Sequence, residues 1–302
     1  MKLDEIAQRR NWRIANAGQT GGQIEIGGWD FGGSGELAVL QHANGMCAAL
    51  WALVATQLTD RYHVIAIDAR GHGDSEHLTV PDDYGWDVFV QDIISVTELI
   101  LVETQHERIA LGLGSSFGGI LLAGAEAKSP GLMDRLVMLD PPIHPTEELA
   151  AQMGIEWQTT PSMRAGLVEQ TLKRKYIWES RQAAHAGWRE KPLFAPWDDR
   201  AFAVYLDEGM RDRDDGQVEL KCHPTVEAHI FATTGSLGLF DYAPMVNIPV
   251  DLVHAKDGHF PLKFYEQIAT VFPNCNLSQL DAGHMLPLEA PTAVVEFIRS
   301  LA

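Results

Sequence analysis

The chain has 302 residues, with 23 Lys and Arg against 41 Asp and Glu, a formal charge of −18, and 46% hydrophobic residues. That share of apolar material offsets the entropy of ordering a chain and excludes wholesale disorder. The acidity excludes the basic faces that nucleic acids and anionic membranes attract, so neither partner is expected.

The opening MKLDEIAQRRNW holds no apolar run, so no secretory leader is read there and a cytoplasmic location is expected. Leu37–Gln41 is a short buried strand, followed by helical spacing over Ala48–Leu58. His63–Asp68 is a second strand and runs into the turn-rich ARGHGDS. Apolar positions three and four apart make Trp86–Val102 a helix. Arg108–Leu113 is a third strand, Ile120–Ala127 a helix after a glycine cluster, and Arg135–Leu139 a fourth strand stopped by Asp140-Pro141-Pro142. Continuous apolar strands alternating with helices predict an α/β fold, a mostly parallel central sheet with helices on both faces.

From His144 to Pro224 no strand is legible. This stretch is charged, holds Trp157, Trp178, Trp188 and Trp197, and reads as a helical cap inserted at residues 144–224. Residues 1–143 and 225–302 then form the core. Its second part carries a strand at Val250–His254, a helix near Leu262–Val271, a strand near Asn276–Leu280 and a last helix from about Pro287 to Leu301. The longest uncharged run, Ile109–Ala125, is too short to span a bilayer. Cys47, Cys222 and Cys275 show no CxxC spacing, so neither a disulfide framework nor a zinc site is expected.

The chemistry centres on Gly114-Ser115-Ser116-Phe117-Gly118, which follows a strand and opens a helix. A serine on so tight a turn stands clear of the backbone, and its neighbours two residues away must be small. Gly114 and Gly118 satisfy that for Ser116; Leu113 and Phe117 do not for Ser115. The helix beyond aims its N-terminus at the turn and favours negative charge there. A serine needs a base. His284, in DAGHMLP after the last strand, lies on the same sheet edge. A carboxylate must orient that base. Asp257 ends the preceding strand, and Asp140, ending RLVML, is a second candidate on that edge. Backbone N–H groups of Phe117 and of the loop His42-Ala43-Asn44-Gly45-Met46 are candidate oxyanion donors.

Together LQHANG, IDARGHGDS, GSSFGG and DAGHMLPLEAP resemble four segments of the α/β-hydrolase family, in the family's order. The resemblance spans roughly Leu37–Pro142 and Val250–Ala302, with the insertion at the family's cap position. It implies Ser116 as nucleophile, His284 as base, Asp257 as acid, and backbone donors from Phe117 and Asn44. Asp140 stays open as the acid because some members place it after the sixth strand. Ala43 departs from the glycine usual after His42.

The implied activity is hydrolysis of a small-molecule carboxylic ester through an acyl-serine, by a monomer or homodimer, with no cofactor and no metal. Carbon–carbon bond hydrolases and lactonases use the same triad. The former commonly carry Trp after the histidine and Asn before the serine, where this chain has Met285 and Ser115. A non-catalytic binding protein on the same scaffold is the alternative from another class. Gly112-Leu113-Gly114 lacks the third glycine of a dinucleotide fingerprint. Arg70, His72 and Asp74 read as a structural turn, and His254 with His259 lack a third metal ligand.

Overall fold

The computed structural model describes residues 2–144, 147–152, 154, 161–233 and 239–301. The chain enters through an antiparallel pair, β1 (Gln8–Ala15) and β2 (Gln23–Gly32), then continues through β3 (Glu36–Gln41), β4 (Tyr62–Ile67), β5 (Leu111–Ser115) and β6 (Leu136–Leu139). Three short strands of the insertion follow: β7 (Ile177–Trp178), β8 (Met210–Asp212) and β9 (Val218–Leu220). β10 (Val250–Ala255) and β11 (Cys275–Leu280) return to the main sheet. Its order is β1-β2-β4-β3-β5-β6-β10-β11, parallel from β4 onward. β2 meets β1 and β4 antiparallel.

The first two strands were not legible as strands. β1 buries only Trp12 and Ile14 on alternate positions between exposed polar residues, so it shows no continuous apolar run. The expectation of an insertion without strands is corrected too: β7, β9 and β8 pair into a small antiparallel sheet. These strands hold two or three residues each, too few for a periodic signal.

The helices are α1 (Ala52–Ala55, entered through a 3₁₀ turn at Ala48–Trp51), α2 (Trp86–Thr104), α3 (Phe117–Lys128), α4 (Glu147–Gln152), α5 (Pro161–Leu172), α6 (Arg181–Trp188), α7 (Asp199–Glu208), α8 (Pro224–Thr233), α9 (Leu239–Tyr242), α10 (Leu262–Ala269), α11 (Leu286–Glu289) and α12 (Pro291–Ser300). The helix expected over Ala48–Leu58 is thus a 3₁₀ turn plus one α turn. The helix expected from Pro287 breaks at Ala290, because the ring of Pro291 disfavours α geometry in the residue before it.

Helices cover both faces of the sheet. One core joins α2, α3 and α10 to Val39, Ile65 and Met138. The other joins α1, α11 and α12 to Leu40, Leu113 and Val253. The insertion packs on this second core through an aromatic cluster in which Phe194 lies 5.5 Å from Trp188, 5.0 Å from Trp197 and 5.7 Å from Tyr205. These buried rings account for two of the insertion's tryptophans; Trp178 stacks edge-on against Trp188, and Trp157 lies outside the described residues. Helix α8 packs along α5, so the insertion's packing runs on past Pro224.

Candidate active site

Three strand ends converge on one edge of the sheet. Ser116 follows β5 directly, at φ 52° and ψ −120°, a conformation that costs free energy and persists only where the surroundings enforce it. Two neighbours enforce it here. The Ser116 N–H is held by the Leu139 carbonyl at 2.8 Å, and the Ser116 carbonyl accepts from Gly119 N–H at 3.0 Å. A side chain at Gly114 would collide with the Gly118–Gly119 backbone, and one at Gly118 with the Gln41 carbonyl. The small residues read from the sequence are therefore steric requirements.

Ser116 Oγ lies 2.9 Å from His284 Nε2, and His284 Nδ1 lies 2.7 Å from Asp140 Oδ2. The carboxylate on the imidazole is thus Asp140 and not Asp257, which corrects the reading of Asp257 as the acid. Asp257 is exposed beyond the end of β10. Asp140 is fully buried at the end of β6, the strand hydrogen-bonded to β5. The Asp140 backbone takes the left-handed region at φ 43°, which Asp tolerates better than most residues. Its Oδ1 accepts from Ala255 N–H at 2.9 Å and from the Tyr265 hydroxyl at 2.7 Å. Burial drives the Tyr265 pKa up, reinforced by the Asp140 charge, so the phenol stays a donor. Gly258 supplies the space: a Cβ there would lie 2.8 Å from Asp140 Oδ2. The Asp257-Gly258 pair thus matters through its glycine.

A carboxylate that the sequence reading missed holds the loop of the candidate base, His284. Glu289 accepts from Gly283 N–H at 2.7 Å and from Met285 N–H at 3.0 Å, bracketing His284 on both sides. Its signal was a Glu in the short helix that follows the histidine.

The candidate oxyanion loop, His42–Met46, is fixed by two buried histidines. His42 donates from Nδ1 to its neighbour's carbonyl, Ala43 O, at 2.8 Å, and its Nε2 accepts from Ala69 N–H at 2.9 Å. His72 donates from Nδ1 to the Arg70 carbonyl at 3.0 Å, and its Nε2 accepts from Gly45 N–H at 3.1 Å. Each is therefore a neutral imidazole with a committed tautomer. The turn of Arg70, His72 and Asp74 is structural, and His72 also ties that turn to the oxyanion loop. Arg70 is sealed in the core against Asp92, with both contacts at 2.6 Å. Asp74 pairs with Arg9 and with Lys221 of the insertion.

Burial drives the His42 pKa down to about 4, partly offset by its bond to Ala43. Burial and the neighbouring His42 drive His72 well below its usual value. A histidine depressed in the fold contributes stability above its unfolded pKa of about 6.5 and loses it as pH falls toward the folded value. Asp68 works in the opposite sense, since burial raises it to about 6. We expect the stability gap between the wild type and His42→Gln to narrow from pH 7 to pH 4.5, because Asp68 cancels in that difference. Urea denaturation at the two pH values measures it, and a constant gap refutes it.

The two candidate oxyanion donors, Phe117 and Asn44, follow the ends of the paired strands β5 and β3. Phe117 opens α3, so its N–H has no acceptor within the helix. Asn44 N–H has no acceptor among the described residues. The Asn44 side chain reaches α8, where its Nδ2 donates to the Glu227 carbonyl at 3.1 Å. The Glu227 carboxylate rests on Gly45, whose Cβ would lie 2.8 Å from it, and is paired with Arg174 at 2.7 Å. Arg174 also donates to the Tyr205 hydroxyl at 2.7 Å. Burial opposes the Arg174 charge, but Tyr205 and Glu227 outweigh it and the pKa is raised.

His254 donates from Nε2 to the Phe260 carbonyl at 2.9 Å, while the His259 ring stands 5.6 Å from that of His284. No group of three His, Cys, Asp or Glu side chains suited to a metal ion occurs among the described residues. No helix among them is long and apolar enough to cross a membrane.

The alpha/beta hydrolase family model matches residues 38–297. The chain belongs to the alpha/beta hydrolase family. This alpha/beta hydrolase is 24% identical over 262 residues to N-formylmaleamate deformylase of Pseudomonas putida, covering 85% of each chain. A pimeloyl-[acyl-carrier protein] methyl ester esterase of Aliivibrio fischeri is 29% identical over 109 residues, 36% of this chain and 38% of that protein. Among solved structures, E-2-(acetamidomethylene)succinate hydrolase superposes with a TM-score of 0.74 at 19% identity, covering 96% of this chain and 98% of that one.

Proposed function

We propose that this alpha/beta hydrolase cleaves carboxylic esters of small molecules through an acyl-serine intermediate. The observation that carries the reading is the continuous chain Ser116 Oγ, His284 Nε2, His284 Nδ1, Asp140 Oδ2, with links of 2.9 and 2.7 Å. Asp140 holds the imidazole with its proton on Nδ1, leaving Nε2 free to accept the Ser116 proton as the hydroxyl attacks an acyl carbon. The N–H groups of Phe117 and Asn44 stabilise the oxyanion that forms. The imidazolium then protonates the leaving group, and the same nitrogen activates water to release the acid.

A second reading, hydrolysis of an N-acyl bond, is favoured by the deformylase relative, which matches over most of both chains. The chemistry differs only in the leaving atom, which His284 must protonate before it departs as an amine. Lactones present the same acyl carbon.

A fluorophosphonate probe tests the common step. One equivalent is expected to attach to Ser116 in the folded protein, with hydrolysis of p-nitrophenyl acetate abolished in parallel. Folded protein that takes up no probe supports the ligand-binding role instead. Comparing p-nitrophenyl acetate with an N-formyl amide of similar size then separates the ester and amide readings.

A further inference from the structure

The central sheet ends on one side in β1 and on the other in β11, and the two edges are built differently. β1 carries Arg9, Arg10 and Arg13, and charged side chains along an edge deter pairing with another chain. β11 reads Cys-Asn-Leu-Ser-Gln-Leu, with no charge, no proline and no glycine, and none of its residues is fully buried. A straight, uncharged edge of that length is a template for a further strand.

The register shows which residues hold the template. The Asn274 carbonyl accepts from Val250 N–H at 2.8 Å, and the Leu280 carbonyl accepts from Lys256 N–H at 3.0 Å. Between these two bonds β11 and β10 run parallel, Cys275 beside Val250 and Leu280 beside Ala255. In such a ladder alternate residues turn both backbone groups to the neighbour. Asn274, Asn276, Ser278 and Leu280 therefore face β10, and Cys275, Leu277 and Gln279 turn their N–H and C=O groups outward. No backbone partner for these three outward sets occurs among the described residues.

We propose that β11 pairs antiparallel with β11 of a second copy of this chain, about a two-fold axis through Leu277. An edge that meets its own copy in this way makes a self-complementary contact that closes at two chains. Leu277 lies opposite Leu277 of the partner copy, and Cys275 opposite Gln279 of the partner copy. The outward residues then exchange about six N–H···O bonds. Charge favours a second copy at this place. Two chains of −18 repel, and β11 sets no carboxylate against another. Asp281, just past the strand, falls opposite Pro273 and is already paired with Lys256. The two strands run in opposite directions, so the two catalytic edges point opposite ways and each site stays complete within its own chain.

Light scattering over a concentration series is expected to show the mass rising from one chain to two. Leu277→Pro deletes the two central bonds but spares the ladder to β10, because the N–H it removes points away from β10. It is expected to weaken dimerisation about tenfold or more, with circular dichroism unchanged. Gln279→Lys, on an exposed side chain, restores an edge charge and serves as the second variant should the proline disturb the strand. Gln279→Cys tests the register. Mild oxidation is expected to join the new thiol to Cys275 of the partner copy, giving a dimer on denaturing gels that dithiothreitol reverses; Cys47 and Cys222 are buried and do not compete. The wild type is expected to form no such link, since the two Cys275 residues lie roughly 14 Å apart along the seam, beyond disulfide reach. A wild type that keeps the mass of one chain throughout, a dimer equally tight in both edge variants, or a wild-type link through Cys275 overturns the proposal. None of these readouts depends on the acyl-serine chemistry.

Discussion

Asp140→Asn is expected to lower kcat by about 10⁴, the loss typical when the orienting carboxylate of such a triad becomes an amide. The reason lies in the groups around it. Ala255 N–H and the Tyr265 hydroxyl both donate to Oδ1, so an amide at this position keeps its oxygen there. Its NH₂ group then faces His284 Nδ1 and forces the opposite tautomer. The ring proton moves to Nε2, where it points at Ser116 and cannot accept from it. Asp257→Asn, on an exposed side chain, is expected to stay within about twofold of wild type, as surface changes of this kind usually do. Steady-state kinetics on one ester decides the matter. A large loss in the Asp257 variant with little loss in the Asp140 variant reverses the assignment.

Arg174→Met is expected to cost about 3–5 kcal/mol of stability, since it strands the Glu227 carboxylate in a nearly buried setting without its counter-charge. The double variant Arg174→Met, Glu227→Gln is expected to recover much of that loss, because no unpaired charge remains. Activity follows a different course. Glu227 holds the Asn44 side chain through its carbonyl and abuts Gly45 through its carboxyl group. A displaced Glu227 therefore shifts the proposed oxyanion donor Asn44, and losing one such donor is expected to cost about 10²–10³ in kcat. Denaturant midpoints and kcat, measured on the single and double variants, separate the two effects. A single variant as stable as wild type refutes the brace.

The central sheet was legible because β3, β4, β5, β6 and β10 are buried on both faces and read as apolar runs. β1 escaped because it is wetted on one face and shows only alternation. Ser116 and His284 were legible because each sits in a loop whose glycines have a steric purpose. The acid was not, because a carboxylate after β6 and one after β10 are equivalent in sequence. What separates them is three-dimensional: Asp140 has the Tyr265 hydroxyl, the Ala255 N–H and the gap left by Gly258, all contributed by residues more than a hundred positions away. Glu289 and Glu227 were missed for a related reason. Glu289 acts on the backbone N–H groups of other residues, and Glu227 acts through its own carbonyl and a distant arginine, which no side-chain pattern reveals.

The brace from Arg174 through Glu227 to residues 44 and 45 bears on how this scaffold can be re-engineered. Ser116 and Asp140 hang from neighbouring strands, so a transplanted lid of foreign sequence leaves their spacing alone. The loop proposed to receive the negative oxygen has no such independence. A chimera that imports a new lid without an arginine–glutamate strut of its own inherits an attacking serine with half of its electrostatic cradle out of place.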